Sequence, residues 1–129
     1  MNNLTHQLEP NTGALCVFVP GDILSTTADT LRDSLFSLLE SAPVQSGNWN
    51  LLKLDLTQAR MVDSVGLNLI VSIVRALKAR NAKVQVIVSS ANIQRTFSFT
   101  RLDRQVTVIK IEAESGQNKI SGSAFSGRS

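Results

Sequence analysis

The chain has 129 residues, 43% of them hydrophobic and 18% charged, which excludes a disordered chain and is typical of one globular domain with its own core. Its formal net charge of +3 is too small to indicate a nucleic-acid-binding protein. A single cysteine cannot form an internal disulfide, no apolar run is long enough to span a membrane, and the first residues lack the pattern of a secretory signal. We therefore expect a cytoplasmic protein with no membrane span.

The first twenty residues predict two strands joined by a turn. A short strand is expected around residues 4–8, and the turn residues at 10–13 follow it. Residues 14–19 form an uninterrupted apolar run that ends at Pro20, which predicts a buried strand.

A helix is predicted next, because apolar residues recur at helical spacing. Residues 25–27 lead into this helix, and it runs to about Ser41. Thr26 and Asp29 have the spacing of a capping box at its start. Residues 45–50 are mostly polar, and we expect them to form a loop.

The next strand, residues 51–56, alternates between leucine and polar residues. Its three even-numbered leucines share one face, whereas Lys53 and Asp55 lie on the other. One face of the sheet is therefore less apolar, which predicts helices mainly on the opposite face.

A long apolar segment predicts a helix over residues 64–80, with Asp63 and Ser64 at its N-terminus, where side chains that accept hydrogen bonds are favoured. The expected buried side consists of Leu67, Ile70, Ile73, Val74 and Leu77. One narrow polar arc consists of Ser64, Asn68, Ser72, Arg75 and Ala79. Val71 falls beside this arc and is expected to be exposed.

The rest of the chain predicts a strand at 84–88, a short helix at 92–100 and a last strand at 106–111. Strands thus alternate with helices, which predicts an α/β fold with a mixed, largely parallel sheet of four to five strands. We expect one domain over residues 1–112. The Gly- and Ser-rich residues 113–129 are expected to form a disordered tail.

The sequence lacks the residue sets that common enzymes need. The only histidine is His6, and the residues around Ser64 lack the first glycine of a hydrolase elbow, which argues against a Ser-His-Asp site. There is no phosphate-binding loop, and one cysteine and one histidine cannot build a zinc site. Asp22, Asp55 and Asp63 fall near strand ends, where a magnesium site is conceivable, but aspartates there more often cap or form turns. We expect no catalysis, no cofactor and no metal.

Four basic residues cluster around the end of the long helix: Arg75, Lys78, Arg80 and Lys83. Cations are favoured at a helix C-terminus, and no aromatic residues interleave with them as a single-strand binder would need. The expected interpretation is a solvated helix end and not a nucleic-acid surface.

Three motifs occur in order along the chain: Gly21-Asp22-Ile23 before Thr27-Ala28, then Leu54-Asp55-Leu56 leading to Val62-Asp63-Ser64-x-Gly66-Leu67, and last Ile93-x-Arg95-x-x-x-Phe99-Thr100-x-Leu102-Asp103. Together they resemble the STAS domain over about residues 14–110. The resemblance is greatest to stand-alone bacterial anti-sigma factor antagonists. It implies a single STAS-like domain that is not itself an enzyme.

The resemblance also implies partner switching controlled by a phosphate. Ser64 would be phosphorylated by a GHKL-type serine kinase that is also the binding partner and anti-sigma factor, and a PP2C-type phosphatase would remove the phosphate. The unphosphorylated form would bind the kinase through Asp63, Ser64, Val65, Gly66, Leu67, Asn68 and Val71. A phosphate at the start of a helix meets free N–H groups, so the helix is expected to carry it.

The sequence departs from the family pattern, which commonly has Asp at the place of Leu24, Ser or Thr at Val65, and Gly at Asn68 and Arg101. Leu24 and Asn68 fall near the expected docking face, so these two departures leave the identity of the partner open. Two roles remain open for Asp63, which either orients the Ser64 hydroxyl or only caps the helix. Ser64 itself is either a phosphoacceptor or a plain cap. The alternative functions are a STAS scaffold or small-ligand module that is never phosphorylated, and a small hydrolase.

Overall fold

The computed structural model describes residues 4–9 and 13–112. The expected tail and most of the turn predicted at 10–13 lie outside the described residues. Within them the elements are β1 (Thr5–Glu9), β2 (Ala14–Phe18), α1 (Ala28–Glu40), α2 (Ala42–Gln45), β3 (Leu51–Leu56), α3 (Ser64–Lys78), β4 (Lys83–Val88), α4 (Ala91–Phe99), a 3₁₀ helix (Leu102–Arg104) and β5 (Thr107–Lys110). The predicted alternation of strands and helices is confirmed.

The strands form one sheet in the order β1-β2-β3-β4-β5, in which β1 is antiparallel to β2 and the other neighbours are parallel. From β2 to β5, each parallel strand lies on the same side of the strand before it in the chain. Because such crossovers are right-handed, the helices that connect these strands lie on one face of the sheet. The exposure of β3 agrees, since Leu52, Leu54 and Leu56 are buried while Lys53 and Asp55 are half-buried. The predicted fold class is confirmed.

The core lies between the sheet and the helices and is mainly aliphatic. Phe97 of α4 is its largest fully buried side chain. The α1 helix contributes Leu31, Leu35 and Leu39. The neighbouring Leu38 is half-buried.

The start of α1 differs from the prediction. The N-terminal cap position is Thr27, whose side chain makes no capping hydrogen bond. The Thr27 hydroxyl instead accepts a hydrogen bond from the Leu24 N–H (3.1 Å) in the preceding turn. The capping box predicted for Thr26 and Asp29 is therefore wrong.

The end of α3 shows why the helix stops two residues before the predicted boundary. Asn81 has a left-handed conformation with φ 58°. The Ala82 N–H donates to the Leu77 carbonyl, and the Asn81 N–H donates to the Lys78 carbonyl, both at 3.1 Å. This is the Schellman arrangement, which satisfies the last carbonyls of a helix.

The segment predicted as a polar loop carries the buried Trp49, 4% exposed. Its indole N–H donates to the Val44 carbonyl at 2.7 Å. The Arg80 guanidinium carbon lies 4.0 Å from the centre of the Trp49 ring, and the group donates to the carbonyls of Gly47 (2.9 Å) and Trp49 (3.2 Å). Arg80 is therefore a structural residue, and the prediction that it belongs to a solvated helix end is wrong.

Arg101 lies at a position where the backbone favours glycine, the residue that the family pattern described above usually has there. Its φ is 65°, in the left-handed region. That conformation costs a non-glycine residue about 1–2 kcal/mol, and the extra chain entropy of glycine offsets about 0.5–1 kcal/mol of this. We expect Arg101→Gly to raise the free energy of unfolding by up to about 1.5 kcal/mol in urea titrations. Arg101→Ala keeps the strain and is expected to give no gain; an equal gain from alanine would contradict the explanation.

Candidate functional site

Two loops are joined at the carboxyl ends of the parallel strands. One connects β2 to α1, and the other connects β3 to α3. Ile23 and Val62 form an isolated parallel bridge between them, with the Ile23 N–H donating to the Met61 carbonyl and the Asp63 N–H donating to the Ile23 carbonyl, both at 3.2 Å. The start of α3 is therefore held against the β2–α1 loop.

Asp63 strengthens this junction through both of its carboxylate oxygens. Oδ1 accepts a hydrogen bond from the Gly66 N–H at 2.9 Å, which caps α3, and Oδ2 accepts one from the Ser25 N–H at 2.7 Å. The bond from Gly66, followed by the bond from Ser25, lowers the pKa of Asp63 below its ordinary value. Of the two roles left open by the sequence, the geometry supports capping over orientation of a hydroxyl.

The other two aspartates near strand ends have similar backbone roles. Asp22 Oδ1 accepts from the N–H groups of Arg60 (2.8 Å) and Met61 (3.3 Å). Asp55 Oδ1 accepts from the Thr57 N–H (2.9 Å) and hydroxyl (2.6 Å). Within residues 4–9 and 13–112, no group of three or more His, Cys, Asp or Glu side chains could hold a metal ion.

Ser64 is the first residue of α3 and is exposed. The cap position is Asp63, so Ser64 is not the cap. Among the described residues, none forms a hydrogen bond with the Ser64 hydroxyl. One expectation about this site needs correction: Asp63 already occupies the Gly66 N–H, so the helix offers a phosphate fewer free donors than the sequence suggested.

Gly66 allows the close approach of α3 to the β2–α1 loop. A Cβ atom at this position would lie 2.9 Å from both Ile23 Cγ2 and Val62 Cγ1 and would clash with the Ile23 carbonyl oxygen. The glycine is thus required by packing, which places Ser64 beside that loop.

The predicted partner-binding residues differ in accessibility. Val65 is 38% exposed, and Asn68 is also exposed. Leu67 and Val71 are half-buried and pack against the core, so the expectation that Val71 is exposed is wrong. Gly66 is buried and can contribute only through the shape of the backbone.

Sequence reasoning missed Met61 as a member of this surface. Its side chain is 54% exposed, although its backbone is fixed by Asp22 and Ile23. The available signal was an apolar residue in a loop two positions before the cap. We use the name Ser64 surface for Met61, Asp63, Ser64, Val65 and Asn68.

The lowered pKa of Asp63 gives a pH-dependent test of its capping role. Because the pKa in the fold lies below the ordinary value of 3.8, the carboxylate stabilises the fold above that pH, and the contribution is lost as the pH falls through the lowered pKa. We expect Asp63→Asn to lower the free energy of unfolding at about pH 6. The difference from the wild type should shrink as the pH falls below 3.8. Urea titrations at several pH values measure this difference in the free energy of unfolding. A difference that does not change with pH would contradict the capping role of the ionised Asp63.

Within the part of the chain that the structure describes, no helix is long and apolar enough to cross a membrane.

Comparisons with known proteins agree on one family. The family model of the STAS domain matches residues 6–116. An anti-sigma-B factor antagonist of Listeria monocytogenes is 28% identical over 110 residues, which cover 85% of this chain and 91% of that protein.

Solved structures share the fold at low sequence identity. A candidate anti-sigma factor antagonist from Thermotoga maritima has a TM-score of 0.70 and 17% identity, over 84% of this chain and 86% of that one. The phosphorylated form of the Bacillus cell fate determinant SpoIIAA has a TM-score of 0.57 and 13% identity, over 84% and 92% of the two chains. At these identities the structures support the fold alone.

Proposed function

This chain belongs to the STAS domain family, and on that premise we propose that it is an anti-sigma factor antagonist regulated by phosphorylation of Ser64. In its unphosphorylated form it binds a GHKL-type serine kinase that acts as the anti-sigma factor. The kinase phosphorylates Ser64 and releases the antagonist, and a PP2C-type phosphatase restores it. The protein acts in the cytoplasm by binding and carries out no catalysis of its own.

The observation that carries this proposal is the state of the Ser64 hydroxyl. It is exposed at the first residue of α3, and no described residue forms a hydrogen bond with it. Phosphoryl transfer requires the acceptor oxygen to enter the kinase site in line with the leaving group. An exposed hydroxyl on a helix end fixed by Asp63 meets that requirement.

Two other serines near the carboxyl ends of the strands, Ser89 and Ser90, are less suitable acceptors. The Ser89 hydroxyl donates to the Thr57 carbonyl at 2.9 Å. The Ser90 hydroxyl caps α4 by accepting from the Ile93 N–H at 3.3 Å. Phosphorylation at either position would replace one of these bonds, whereas at Ser64 it would replace none among the described residues.

Phosphorylation is proposed to act on the interface and not on the fold. A phosphate adds about −1.5 to −2 charge at pH 7, next to the Asp63 carboxylate, whose oxygens already bind Gly66 and Ser25. In the free protein the phosphate remains in water, where the cost is small. In the complex it would be desolvated against a surface shaped for a neutral hydroxyl, and an unpaired buried charge is costly.

Peptide mapping after incubation with the kinase and ATP tests the assignment of the acceptor. We expect one phosphate per chain, located on the peptide that contains Ser64, and none on Ser64→Ala. Ser90→Ala is the matched control and should still accept one phosphate. Phosphate that persists on Ser64→Ala would refute the assignment, and a wild-type chain that accepts none would favour the unphosphorylated scaffold.

A further inference from the structure

A second charged surface lies at the other end of α3. A groove of about 550 Å³ runs between the end of α3 and the segment from the 3₁₀ helix into β5. The exposed side chains of Lys78, Lys83 and Arg104 line it, above the buried Val84 and Val106. We call it the basic groove.

The positive charge of this groove is not neutralised within the described chain. None of the three basic side chains forms a hydrogen bond or an ion pair with a described residue. The ion pair that the described residues do form, between Lys53 and Glu9 at 3.6 Å, lies on the sheet. Asp103 is the only carboxylate among the lining residues, so three cations face one anion.

The same chain carries a complementary surface on α1. Asp29, Asp33 and Glu40 are exposed, and none of their carboxylates has a partner among the described residues. At about 100° per residue they fall within an arc of about 40° on the helix surface. This acidic stripe faces away from the buried Leu31 and Leu35.

We propose that the acidic stripe of one copy binds the basic groove of a second copy. Three carboxylates would meet three cations that have no partner within their own chain. Because stripe and groove are different surfaces, the contact is head-to-tail and continues into open chains of copies instead of closing as a two-fold dimer. The charges are exposed, so the association is weak and sensitive to salt.

The basic groove is distant from the Ser64 surface. Ser64 and Lys78 stand at opposite ends of α3, about 21 Å apart at 1.5 Å per residue. Self-association through the groove therefore does not depend on the function proposed for Ser64, and Ser64→Asp should leave it unchanged.

Sedimentation equilibrium at about 20 mM and about 500 mM salt tests the proposal, because the Debye length shortens several-fold between these conditions. At low salt we expect the average mass to rise with concentration beyond that of a dimer. At high salt we expect the dissociation constant to increase at least about tenfold. A monomer at every concentration in low salt would overturn the proposal.

Charge reversal identifies the surfaces. Lys78→Glu with Lys83→Glu should abolish association, as should Asp29→Lys with Asp33→Lys, and mixing the two double variants should restore it. Arg95→Glu with Lys110→Glu makes the same change in net charge outside the groove. If this control also abolishes association, or if the groove variant still associates, the assignment to the groove is overturned.

Discussion

Replacing Gly66 by alanine is expected to destabilise the protein by about 3 kcal/mol or more, the upper end of what overpacking costs. The new methyl group would clash with the Ile23 carbonyl oxygen and lie 2.9 Å from Ile23 Cγ2 and Val62 Cγ1. The first obstacle is backbone, which cannot rotate aside as a side chain can. Relief requires α3 to move away from the β2–α1 loop, and this would break the bond between Asp63 and Ser25.

Gly21→Ala is the matched control, because among the described residues no atom beyond Gly21 and its two chain neighbours lies within 4 Å of the position that its Cβ would occupy. We expect its free energy of unfolding to stay within about 0.5 kcal/mol of the wild type. Urea unfolding followed by circular dichroism compares the two variants. Equal stabilities for Gly66→Ala and Gly21→Ala would mean that the junction is looser than the contacts indicate.

The second large effect is expected from Trp49→Ala, at about 3–5 kcal/mol. The substitution removes a ring that is only 4% exposed and leaves a cavity between the loop and the core. It also removes the hydrogen bond to the Val44 carbonyl and the ring over which the Arg80 guanidinium lies.

Trp49→Phe separates these contributions, because it keeps an aromatic ring for Arg80 but has no N–H for the Val44 carbonyl. We expect an intermediate loss of about 0.5–1.5 kcal/mol, the net worth of one hydrogen bond, because the Val44 carbonyl still accepts from the Gly47 N–H at 3.2 Å. Circular dichroism is the suitable signal, because both variants remove the single tryptophan of the chain and with it the tryptophan fluorescence. A loss from Trp49→Ala below about 1 kcal/mol would contradict the structural role of the ring.

The sequence predicted the sheet and its helices well because their signals are local. The alternation of Leu52, Leu54 and Leu56 identified both the strand and its covered face. The three motifs, in their order along the chain, indicated the family, and the family model confirmed that resemblance.

Contacts between distant parts of the chain were not predictable from local patterns. The bond from Ser25 to Asp63 joins residues 38 apart, and Arg80 binds carbonyls more than 30 residues earlier in the chain. Local patterns left two roles open for Asp63 and predicted that Arg80 belongs to a solvated helix end. Val71 was misplaced because a helical wheel describes one helix and not the neighbours that pack against it.

We propose above that Ser64 is the phosphoacceptor and lies at the centre of the docking surface for the kinase. Calorimetric titration with the purified kinase tests this proposal most directly. We expect Ser64→Ala to bind within a few-fold of the wild type and Ser64→Asp to bind at least about tenfold more weakly, which corresponds to about 1.4 kcal/mol. The melting temperatures of both variants should stay close to that of the wild type. Equal affinities for Ser64→Ala and Ser64→Asp would contradict a docking surface centred on Ser64, and a large fall in the melting temperature of Ser64→Asp would contradict a switch confined to the interface.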